Sequence, residues 1–74
     1  MVGTLRYLII IEPTATGFSA WSPDLPGCIT TGASTEQIEA NMLEAIAFHL
    51  DGLRADGQPV PQAHTIAAYV EVAA

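Results

Sequence analysis

The sequence predicts a small α+β domain in the order strand, strand, strand, helix, strand. The expected sheet is four-stranded and mixed, in order 3-2-1-4, with one helix on one face. Three observations carry this. Leu5–Glu12 is a run of strand formers built on Ile9, Ile10 and Ile11. Ser22–Gly32 holds two prolines within four residues, which excludes helix there. A single amphipathic segment follows Ser34.

The first strand, Leu5–Glu12, is apolar on both faces of its middle, as expected of a central strand covered on both sides or by a partner chain. Pro13–Gly17 is a turn. Phe18–Ser22 is the second strand, with Phe18, Ala20 and Ser22 on one face and Ser19 and Trp21 on the other. The corner Pro23-Asp24-Leu25-Pro26-Gly27 then leads into a short third strand, Cys28–Thr31, stopped by Gly32. Ser34 is the expected N-cap, and Gln37 completes a capping-box pattern. The helix is expected from Thr35 to Arg54 or Ala55. Ile38, Met42, Leu43, Ile46, His49, Leu50 and Leu53 form its apolar stripe, and Gly57 stops it. Gln58–Gln62 is a stiff, proline-held connector. Ile66–Val72 alternates as a last strand, which the right-handed crossover rule places beside the first and parallel to it.

The chain has 74 residues, one domain's worth, read as a single unit over 1–74. A domain this small buries only about 60–65% of its unfolded surface, so burial against another chain is a common supplement. Half the residues are hydrophobic and 14% are charged, an apolar balance for so small a domain. Trp21, Phe48 and Tyr69 are the aromatics expected at a contact between copies, as a dimer or tetramer. For Phe48 the other reading is an exposed or tucked-away aromatic of no consequence. The net charge is −6, with Arg6 and Arg54 the sole arginines and no lysine. Two arginines cannot build a phosphate footprint, so direct nucleic-acid binding is disfavoured, as is anionic membrane. The acidity either attracts a basic partner or keeps an apolar protein soluble. One cysteine, Cys28, allows no internal disulfide. No signal segment or membrane-spanning run is legible, and a cytoplasmic location is expected.

Catalysis finds no support. Cys28 reads as a small buried hydrophobe, His49 as a packed helical histidine and His64 as a solvated loop residue. Glu12, Glu36, Glu39, Glu44 and Glu71 could in principle hold metal ions for a nuclease, but no carboxylate sits in the middle of the first strand where such a site wants one. No catalytic, metal or cofactor site is expected.

The stretch Gly17-Phe18-Ser19-Ala20-Trp21-Ser22-Pro23-Asp24-Leu25-Pro26-Gly27-Cys28, followed by Thr31-Gly32, Thr35 and Asn41-Met42-Leu43-Glu44-Ala45-Ile46, resembles the HicB-like antitoxin family. Gly57-Gln58-Pro59-Val60-Pro61 matches that family's exit from the helix. The resemblance implies a partial, catalytically inactive ribonuclease H-like fold. It also implies binding and neutralisation of HicA, a small basic toxin that cleaves mRNA. Glu12, Asp24 and Glu71 are the acidic residues expected to meet such a toxin, and Pro23, Asp24, Leu25, Pro26, Gly27, Cys28, Gly32 and Ser34 form the structural motif. Two departures are present. The sequence runs to Ala74 without the DNA-binding segment of many members, so autorepression is not carried over from the resemblance. Ala33 and Ile38 stand where the family often has an acidic residue and an alanine. The alternative to toxin neutralisation is an orphan homo-oligomer with no toxin.

Overall fold

A computed structural model describes residues 3–74. Its elements are β1 (Ile10–Pro13), β2 (Phe18–Trp21), β3 (Ile29–Gly32) and α1 (Thr35–Ala55). The strands form one antiparallel sheet in order β1-β2-β3. Ile10 pairs with Trp21 and Pro13 with Phe18, while Phe18 pairs with Gly32 and Trp21 with Ile29. The helix packs on the face of β2 and β3 that carries Ala20.

This corrects the expected architecture. The sheet has three strands, not four, and the order 3-2-1-4 is not formed. Residues 58–74 form no helix or strand. The alternation of Ile66–Val72 is a strand pattern without a ladder: Ile66, Tyr69, Val70 and Val72 are all more than four-fifths exposed. The radius of gyration is 14.3 Å, against about 11 Å for a compact chain of this length, and the longest dimension is 49 Å.

The first strand is also shorter at its start than its composition predicts. Continuing the register past Ile10–Trp21 would set Ile9 against Ser22 and Leu8 against Pro23. Pro23 has no N–H to donate, so the ladder cannot extend. The Ser22 hydroxyl donates instead to the Leu8 carbonyl at 2.8 Å.

The helix ends follow the sequence. Ser34 caps α1, accepting from the Gln37 N–H at 3.1 Å, while Gln37 Oε1 accepts from the Ala33 N–H at 2.6 Å. At the other end Gly57 adopts φ +71°. The Gln58 N–H donates to Leu53 O and the Gly57 N–H to Arg54 O, the paired bonds of a Schellman motif.

The core is small: Ala20, Leu25, Cys28, Ile38, Met42 and Leu50 are its buried members, with Tyr7, Ile9, Ile11, Phe18, Ile46 and Leu53 packed around them. Leu43 was expected on the inward stripe but is exposed. It lies about 100° around the helix from Met42 and lines an open groove with Leu5, Tyr7 and Ile9.

Candidate functional site

The Pro/Gly corner is made of two consecutive turns. The Leu25 N–H donates to Ser22 O at 3.2 Å, and the Cys28 N–H to Leu25 O at 3.1 Å. Pro23 and Pro26 sit at the second position of each, where a fixed φ suits the turn. Gly27, at φ +83°, takes the following position of the second turn, as a type II turn requires. The corner drives Leu25 into the core, where it is fully buried.

The same corner buries the Asp24 carboxylate. The backbone N–H groups of His64 and Thr65 donate to Oδ2 at 3.2 and 3.1 Å, and Thr65 Oγ1 donates to Oδ1 at 2.6 Å. The exposed His64 imidazole places Nε2 3.2 Å from Oδ1, an ion pair when that ring is protonated. The Thr65 hydroxyl, foremost, holds the Asp24 pKa below its ordinary value. Burial opposes this, while the Thr65 N–H, the His64 charge and the His64 N–H reinforce it. Asp24 thus clasps the connector to the corner across 41 residues of sequence. A second tie lies close by in sequence, where Tyr7 Oη donates to Pro61 O at 2.6 Å.

The other expected contact residues are dispersed. Glu12 is exposed at the end of β1 and accepts from Trp21 Nε1 at 3.1 Å. Trp21 lies in register between Ile10 and Ile29, so the sheet face turned away from the helix carries an apolar row across all three strands. Phe48 is 82% exposed and lines, with Cys28, Ile29 and His49, a groove of about 450 Å³ between helix and corner. Tyr69 and Glu71 are exposed in the segment beyond the clasp. Cys28 is buried, and burial pushes its thiol pKa up, away from the reactive thiolate. Among the described residues no three His, Cys, Asp or Glu side chains come together as metal ligands.

Two roles escaped sequence reasoning. The clasp on Thr65 joins residues too far apart for any local pattern to show. Asn41 Nδ2 donates to Thr31 O at 2.9 Å, pinning the helix to β3. An Asn on a polar helix face gives no signal of that partner.

This geometry, a Pro/Gly corner between strands followed by a capped helix, is that of a described family. Residues 7–73 match the HicB-like antitoxins of bacterial toxin–antitoxin systems, and the chain belongs to that family. It is 34% identical over 66 residues to an uncharacterised 14.9 kDa protein of Haemophilus phage HP1, covering 89% of this chain but 50% of that protein. It is 34% identical over 58 residues to a UPF0150 protein of Synechocystis, covering 77% and 73% of the two chains. It is 40% identical over 47 residues to a UPF0150 protein of Helicobacter pylori, covering 64% and 65%. Among solved structures it resembles one chain of a HicA3 and HicB3 toxin–antitoxin complex, with TM-score 0.66 and 38% identity over 74% of this chain and 64% of that one. The chain therefore spans half to two thirds of the length of several proteins it matches.

Proposed function

We propose that this chain is the antitoxin of a toxin–antitoxin pair, binding and neutralising a small basic mRNA-cleaving toxin of the HicA kind in the cytoplasm. The observation that carries the reading is the 38% identity to a chain of the HicA3 and HicB3 complex, together with the net charge of −6 on this chain. Neutralisation is steric and electrostatic. An acidic surface covers the toxin's RNA-contacting side, and no catalysis by this chain is involved. Glu12 and Glu71 are the exposed carboxylates offered to the toxin, while Asp24 acts by holding the connector that leads to Glu71.

Co-expression of the tagged chain with a HicA-type toxin tests this. The expected result is a complex that withstands low salt, loosens at high salt and no longer cleaves RNA. Glu12→Lys and Glu71→Lys should each weaken the complex. A toxin that still cleaves RNA beside excess antitoxin sinks the proposal.

The second reading is an orphan homo-oligomer. The exposed aromatics Trp21, Phe48 and Tyr69 favour self-association, which is compatible with either role.

A further inference from the structure

On the sheet face turned away from the helix, Trp21 stands in register between Ile10 and Ile29. Glu12 follows Ile10 by two residues on β1, so its side chain emerges on the same face, diagonal to Trp21. The indole N–H spans that diagonal and donates to Glu12 Oε1 at 3.1 Å. This bond fixes ring and carboxylate relative to each other without consuming either. Trp21 is still 40% exposed, and Glu12 is exposed with its second oxygen outside the bond.

The chain does not neutralise this carboxylate itself. Among the described residues the ion pairs are Arg54 with Asp51 and His64 with Asp24. Arg6 lies along the grooves that run past Tyr7 and Ile9, and the sequence holds no lysine. Beside the indole, an apolar groove of about 390 Å³ leads to the corner, lined by Pro23, Pro26 and Ile29. An indole face attracts a cation through its quadrupole, and a carboxylate held at its edge adds a full charge. Arginine suits all three parts: its planar guanidinium stacks on the ring, its N–H fork meets the carboxylate, and its methylene stem lies on the apolar wall.

We propose that Trp21 and Glu12 form a receptor for one arginine side chain of a basic partner protein, with the stem of that arginine in the groove beside Pro23 and Ile29. The inference rests on the antitoxin reading above and names the contact through which the basic toxin is held. The net charge of −6 favours a basic partner on this face over a second copy of the same acidic chain.

Trp21 is the single tryptophan of the chain, so fluorotryptophan labelling places one fluorine reporter on the receptor. Titration of the labelled full chain with a HicA-type toxin inactivated in its RNA-cleaving step should shift that fluorine NMR signal. By isothermal titration, Trp21→Leu, which removes the aromatic face, and Glu12→Gln, which keeps the acceptor for the indole N–H but removes the charge, should each raise Kd roughly tenfold. The double variant should raise Kd by less than the product of the two single factors, since both side chains act on one cation. Both single variants should keep the helical circular-dichroism signal, as neither residue belongs to the buried core. If Trp21→Leu fails to fold, Glu12→Gln and the fluorine signal decide. A complex that forms with the fluorine signal unmoved, with a folded single variant binding as tightly as the unaltered chain, or with fully independent losses overturns the receptor and leaves the antitoxin reading standing. A fluorine signal that moves when the chain alone is concentrated means that a second copy covers the face, and overturns the receptor too. Absence of any complex overturns both.

Discussion

Asp24 shows how much one side chain can organise in a domain this small. It sits at the third position of the Ser22–Leu25 turn, where Asp suits the backbone, yet its carboxylate reaches Thr65 and His64. Because these groups stabilise the ionised form, the folded-state pKa lies below the usual 3.8. The stability it supplies is present above that value and is lost as pH falls through the lowered one. Thermal unfolding across pH 2–7 should show the unaltered protein losing midpoint as pH falls below about 4. Asp24→Asn should start lower at pH 7 and show a shallower acid limb, the two curves converging at the acid end. Parallel acid limbs would mean that the clasp contributes nothing. Gly27, at φ +83°, is the other residue on which the corner turns. Gly27→Ala should cost about 1–2 kcal/mol in denaturant unfolding, the penalty of a left-handed backbone at a residue with a Cβ.

At the scale of elements, α1 is the part most directly written in the sequence. Ser34 and Gln37 start it and Gly57 ends it by the bonds that those residue types predict. Ser34→Ala should therefore lower stability by about 1 kcal/mol. The seat of the helix on the sheet is tighter than any propensity shows. A Cβ on Gly32 would stand 3.0 Å from the Ile38 backbone, so Gly32→Ala requires α1 to give by a few tenths of an ångström against β3. It should destabilise more than Gly27→Ala and blunt the near-ultraviolet signal of Trp21 on the neighbouring strand; an equal or smaller loss would contradict this packing. The strands were only half legible. Composition alone favoured pairing from Leu5, but Pro23, two residues past the end of the neighbouring strand, decides where the ladder begins. The alternation of Ile66–Val72 was visible too, but pairing depends on a partner edge, and local sequence does not encode which edge is reached.

Across the whole molecule, charge and apolar surface point outward together. The −6 charge is spread over a body whose buried core, among the described residues, holds six apolar side chains, while Trp21, Ile29, Leu43, Phe48 and Tyr69 face solvent. A chain so built is suited to being covered by other proteins. Family membership was legible because the corner and its glycines impose fixed backbone conformations that few residues supply. The surfaces offered to partners were less so. Asp24 had the look of an exposed acid and is a buried clasp, and its partner Thr65 gave no sign of its role. An electrostatic interface also has a consequence at this scale: affinity for a basic toxin should fall as ionic strength rises and the Debye length shrinks.

The central claim is that this chain neutralises a toxin by binding it. Isothermal titration of the purified chain into a HicA-type toxin inactivated in its RNA-cleaving step, at about 50 and about 500 mM salt, tests it most directly. The account predicts a saturable complex that weakens at the higher salt and weakens further with Glu12→Lys. Absence of binding heat at both salts, with each protein shown to be folded, would contradict it.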